Sequence, residues 1–158
     1  LVINFNGSAA QLTDQIFSFD LDSDGTQDNL PVLAGGTGYL AFDRNQDGKI
    51  NNGSELFGPN SGDGFADLAA LDEDKNGWID ENDSNFGKLS IWTTNDNGNS
   101  ELKSLKEAGV GALSLSRVST PFELKNSYNQ TLGAIRSSSV ALGESGKIAT
   151  VQQIDVVV

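Results

Sequence analysis

Three stretches of the chain carry oxygen-bearing side chains at alternating positions, each followed by a glycine. The first is Asp20-Leu21-Asp22-Ser23-Asp24-Gly25, with Thr26 and Asp28 behind it. The second is Asp43-Arg44-Asn45-Gln46-Asp47-Gly48, continuing through Lys49, Ile50 and Asn51 to Glu55. The third is Asp72-Glu73-Asp74-Lys75-Asn76-Gly77-Trp78-Ile79-Asp80-Glu81-Asn82-Asp83. Oxygens two residues apart converge on one point when the backbone curls around it, and glycine permits the sharp part of the curl. Such a set suits a hard divalent cation, above all calcium.

The third stretch has the ligand spacing of an EF-hand calcium loop. Asp72, Asp74 and Asn76 take positions 1, 3 and 5, the Trp78 carbonyl position 7, Asp80 position 9 and Asp83 position 12. Its closing residue is Asp, one carbon shorter than the usual Glu. In the second stretch Asp43, Asn45, Asp47, the Lys49 carbonyl and Asn51 fill the same places, and Glu55 closes one residue late. The longer Glu side chain and the freedom of Gly53 let it reach. In the first stretch Asp20, Asp22 and Asp24 gather, completed by the Thr26 carbonyl and Asp28, with no amphipathic helix on either side. The plainer alternatives are an acidic, solvated turn for the first stretch and an Asp-rich helix cap for the third. The cap accounts for Asp80 but not for Asp72, Asp74 and Asn76 as well. Ile50 and Ile79 both stand at position 8, where neighbouring EF-hand loops pair their backbones. That predicts two coupled calcium ions and a third apart. Asn95 to Glu101 is similar in composition, but Thr93 holds its first position, and a turn is the expected reading.

Composition narrows the function classes. The 158 residues suffice for a single domain with a hydrophobic core, and the formal net charge is −12. Such a surface repels nucleic acid and anionic membranes and attracts cations. There is no Cys and no His, which removes disulfides, thiolate and imidazole metal sites, and Cys or His catalysis. There is no Met either, so the sequence reads as a processed or excised domain. No apolar run approaches a membrane helix and no signal peptide is visible; an export signal would lie outside these residues.

The elements that must hold the loops read as follows. Residues 1–6 form a strand ended by Gly7-Ser8, and Ile16 to Phe19 a second short strand. Residues 30–38 form a loop. The stripe Phe65, Leu68, Ala69 and Leu71 predicts a helix over 64–71 entering the third calcium loop, with an exit helix from Glu81 to Leu89. Ser90 to Thr93 is strand-like, and Glu101 to Ala108 a short helix. Beyond residue 110 the period shortens to that of strands, with Gly143-Glu144-Ser145-Gly146 as a hairpin turn. The expected fold is α+β: an EF-hand-like lobe over 30–108, its short helices packed on an antiparallel sheet made by the N-terminal and C-terminal strands, within one domain spanning 1–158.

The segments "DGKINNGSELFG" and "WIDENDSNF", with the Asp20-Asp22-Asp24 set behind the first strand, resemble a calcium-binding module of secreted bacterial proteins of the iron-regulated RTX type. The resemblance spans about residues 1–115. It implies calcium-dependent folding outside the cell, in a secreted or surface protein with further domains. In RTX-type members the module can also process itself: an Asp carboxylate attacks its own peptide carbonyl in an Asp-Pro bond just before the module, and a Lys amine can capture the anhydride. Leu30, Gly58 and Thr120 precede the three prolines of this chain, so any such bond would lie ahead of Leu1. A calcium-stabilised module is the leading expectation, a self-processing module the second, and an adhesin or carbohydrate-binding domain the third.

Overall fold

The computed structural model describes residues 1–158 apart from 7, 8, 96 and 98, so the expected strand end at Gly7-Ser8 and two residues of the 95–101 turn lie outside the described residues. Among the described residues eleven strands follow one another: β1 (Val2–Asn4), β2 (Leu12–Phe19), β3 (Asp28–Leu33), β4 (Thr37–Phe42), β5 (Trp78–Asp80), β6 (Leu89–Thr94), β7 (Ser100–Ser104), β8 (Val110–Ser114), β9 (Val118–Lys125), β10 (Thr131–Gly143) and β11 (Ile148–Val156). Nine of them make one sheet in the order β5-β8-β10-β11-β1-β4-β6-β7, with β9 also on β10, while β2 and β3 form a separate two-stranded ribbon. Every pairing is antiparallel.

The period of two sends alternate residues of the central strands to opposite faces. Ile3, Leu40, Ile91 and Val151 join one buried cluster, which Phe57, Phe65 and Leu68 cover. Val2, Tyr39, Ala41 and Trp92 join the other, which the ribbon covers with Phe17, Phe19, Leu30 and Val32. The sheet is thus covered on both faces: by helix α1 (Gly64–Ala69) and its approach on one side, by the β2–β3 ribbon on the other.

This overturns the expected α+β lobe. Among the described residues the only α-helix is α1, six residues long, and β4, β5, β6 and β7, which lie within 30–108, belong to the same sheet as β1 and the C-terminal strands. The entering helix forms as expected, with Asp63 accepting from Ala66 N at its N-cap. The exit helix from Glu81 to Leu89 does not form: turns lead to a single 3₁₀ turn at Phe86–Lys88 and then to β6. Asn82, Ser84, Asn85 and Gly87 favour turns over helix, and burial of Leu89 and Ile91 on one face rewards extended chain. The expected helix from Glu101 to Ala108 is β7 and a turn, because Ser100 to Ser104 pair along β6. The expected loop over 30–38 contains parts of β3 and β4. Pro31 is accommodated because β3 belongs to a two-stranded ribbon and has an open edge. The Ile50–Ile79 pairing is absent. Ile79 pairs with Leu113 of β8 and lies in the first cluster, while Ile50 lies in the second. The C-terminal strands and the hairpin at 143–146 stand where expected, with Gly143 N donating to the Lys147 carbonyl at 2.6 Å.

Candidate metal centres

Three loops carry the acidic stretches, each held differently. Loop A (20–28) closes the β2–β3 hairpin, starting beside Phe19 and ending in Asp28 of β3. Loop B (43–55) leaves β4 and ends in a 3₁₀ turn, Gly53–Glu55. Loop C (72–83) joins α1 to β5 and the turns beyond.

Despite these settings the loops share one backbone. The fourth residue of each is left-handed: Ser23 at φ 62°, Gln46 at 57° and Lys75 at 58°. The sixth is a left-handed glycine: Gly25 at 89°, Gly48 at 78° and Gly77 at 84°. The first carboxylate of each loop accepts from the amides of the fifth and sixth residues. Asp20 accepts from Asp24 and Gly25 at 3.0 Å each, Asp43 from Asp47 and Gly48 at 3.2 and 2.8 Å, and Asp72 from Asn76 and Gly77 at 3.2 and 2.9 Å. The third residue, Asp22, Asn45 or Asp74, accepts from that same fifth amide at 3.2 Å in every loop. The fifth residue accepts from the seventh amide: Asp24 from Thr26, Asp47 from Lys49 and Asn76 from Trp78.

The closing acid is tied in the same way from three distances along the chain. The second amide of each loop donates to it: Leu21 to Asp28 at 3.3 Å, Arg44 to Glu55 at 3.1 Å and Glu73 to Asp83 at 2.8 Å. Glu55 also accepts from Asn51 N at 2.7 Å, and Asp83 from Asp80 N at 3.0 Å, so the longer Glu makes up for its late position. Asp20, Glu55, Asp72 and Asp83 are buried although acidic.

In loop A the carboxylate oxygens of Asp20, Asp22 and Asp24 lie within 4.8 Å of one another, and in loop C those of Asp72, Asp74 and Asp83 do so. Either cluster can hold a metal ion. In loop B amides replace some carboxylates, and the Asn45 amide donates to Asn51 Oδ1 at 3.0 Å. Asp80 accepts from Asn82 N, so its carboxylate is directed to the turn after β5. In loop C, desolvation and then the Asp72 and Asp83 charges push the Asp74 carboxyl up, against one hydrogen bond from Asn76 N. Desolvation pushes Asp72 up as well, but hydrogen bonds donated by the Gly77 and Asn76 amides outweigh it and hold that carboxyl below its ordinary value. Like charges so close raise each other's energy, and a divalent cation among them reverses the sign of that interaction.

The sequence reading pointed to neither Asn52 nor Ser23, and for Gly53 only to its freedom, not to its contact with loop A. Asn52 Oδ1 accepts from Ser54 N at 3.0 Å, capping the 3₁₀ turn that carries Glu55, and also from Ser23 Oγ of loop A at 3.2 Å. Gly53 N donates to the Asp20 carbonyl at 2.8 Å. The Asn-Gly dipeptide before an acid is a cap signal that points to Asn52. Contact with a loop about 30 residues earlier leaves no local trace.

Fold and site together define a class: an antiparallel β module whose acidic, oxygen-lined loops share one backbone conformation. The chain belongs to the SPM domain family, whose model matches residues 1–154. It is similar to the iron-regulated protein FrpA of Neisseria meningitidis serogroup C, at 34% identity over 109 residues, which is 61% of this chain and 10% of that protein. The chain therefore spans about a tenth of that relative. Among the described residues no helix is long and apolar enough to cross a membrane.

Proposed function

We propose that the chain is a calcium-binding, calcium-stabilised module of a larger secreted or surface bacterial protein, with one ion in each of loops A, B and C. The observation that carries this is the repeated backbone: three loops of different sequence and setting converge on left-handed fourth and sixth residues and a first carboxylate held by the sixth amide, and loops A and C each gather three carboxylates. Hard oxygen donors on flexible loops suit calcium rather than zinc or copper. Extracellular calcium fills weak sites of this kind and a calcium-poor cytosol empties them, so folding free energy arrives with export. Thermal unfolding in millimolar calcium and in excess EDTA tests the proposal, with tryptophan fluorescence during titration as the site readout. Trp78 lies in loop C, whereas Trp92 is packed against Phe17, Phe19 and Tyr39 and reports the core. Identical unfolding in both buffers defeats the proposal.

One observation favours self-processing as a second reading. Leu1 N donates to the Phe57 carbonyl at 2.6 Å, two residues after Glu55, and the Leu1 side chain packs over Gly64. The backbone entering the module is therefore fixed beside loop B, where calcium would order it. A chain extended upstream through an Asp-Pro bond should be cut on calcium addition. An intact chain after prolonged incubation with calcium argues against this reading.

A further inference from the structure

The expected partner of loop B through Ile50 and Ile79 was loop C, but the contacts of loop B lead to loop A. Gly53 N, two residues before Glu55, donates to the backbone carbonyl of Asp20, the first residue of loop A, at 2.8 Å. At this crossing a Cβ on Gly53 would stand 1.6 Å from the Leu21 carbonyl oxygen, so the two backbones approach as closely as glycine allows. Ser23, the left-handed fourth residue of loop A, donates from Oγ to Asn52 Oδ1 at 3.2 Å, and the same oxygen caps the turn carrying Glu55. Leu21 and Ile50 pack on one hydrophobic cluster. The contacts of loop C lead elsewhere: Gly77 O accepts from Leu115 N, β5 pairs with β8, and Glu73 bonds Ser84. Ile79 belongs to the opposite cluster.

We infer that loops A and B load calcium as a coupled pair and that loop C loads independently. The inference rests on the calcium reading above. An ion in loop A fixes Asp20 and Ser23, and with them the positions of the Asp20 carbonyl and Ser23 Oγ. These hold Asn52 and Gly53, which set the turn that presents the buried Glu55 to loop B. The coupling runs equally in the other direction, because linkage between two binding sites is reciprocal.

The sixth-residue amides of Gly25, Gly48 and Gly77 each donate to their own loop's first carboxylate, so each reports one site. In a calcium titration of glycine-labelled protein followed by NMR, Asp22→Ala, at an exposed position of loop A, should raise the midpoint of the Gly48 signal about five-fold or more while the Gly77 midpoint stays put. Asp47→Ala should shift the Gly25 midpoint by the same factor, which keeps the test open if one variant fails to fold. Asp74→Ala should move neither Gly25 nor Gly48. If the three glycine signals respond to calcium but Gly48 is unmoved by Asp22→Ala and Gly25 by Asp47→Ala, the coupling is refuted and the calcium reading stands. If no glycine signal responds, the calcium reading itself falls.

Discussion

At the scale of single residues, burial without a partner marks Tyr39. Its hydroxyl is enclosed by the ribbon-side cluster and makes no hydrogen bond, and burial pushes its phenol above the ordinary value. A buried hydroxyl without a partner pays its desolvation cost unreturned. Tyr39→Phe should therefore leave the fold intact and raise stability by about 1 kcal/mol, read as a higher urea midpoint with unchanged slope. A lower midpoint would show that the hydroxyl is satisfied in solution. Gly53 is the opposite case. The atom a side chain would strike is a backbone carbonyl oxygen, which cannot rotate away. Gly53→Ala should cost about 3 kcal/mol, measured by the same denaturation in calcium. The candidate loops were legible in the sequence, since alternation of Asp and Asn before Gly is a local pattern. The unpartnered Tyr39 hydroxyl and the close approach of Gly53 to Leu21 were not, because both depend on residues distant in the chain.

At the scale of elements, α1 illustrates what a short helix needs from outside. Asp63 caps it and also receives both terminal nitrogens of Arg117, Nη2 at 2.7 Å. The guanidinium is the main reason the Asp63 carboxyl is lowered to about 2. A depressed acid contributes stability that is present above its unfolded value, near 4, and is lost as pH falls through about 2. Both side chains are more than a third exposed, so solvent screening keeps the contribution under about 1 kcal/mol. Arg117→Gln should lower stability by no more than that at pH 6, return the Asp63 titration towards 4, and make no difference below pH 2. NMR titration of the Asp63 carboxyl with parallel urea curves checks all three. The strands of the C-terminal half were legible because their alternation matches their environment. The helices expected after loop C and after Glu101 were not, because apolar spacing over eight residues fits either period. Burial against the sheet decided for strands at Leu89 and Leu102.

For the whole molecule, the balance between charge and core sets how it responds to its surroundings. The acidic loops are joined directly to structural elements: loop A closes the ribbon that covers one face of the sheet, and loop C connects the helix covering the other face to β5. Repulsion within a loop therefore acts on the core cover as well as on the loop. Three divalent ions would carry six positive charges and take the net charge from −12 to −6. Without them the compact state holds like charges close together, and screening is the other available relief. Sodium chloride at about 0.5 M, where the Debye length falls to a few ångströms, should then raise the melting temperature in EDTA by several degrees and change it little in calcium. The two responses separate specific binding from general neutralisation: if calcium acts only by screening, magnesium or salt at equal ionic strength will stabilise as well as calcium does. If calcium sits in the loops, it will stabilise at concentrations too low to alter the Debye length, and added salt will weaken rather than add to its effect.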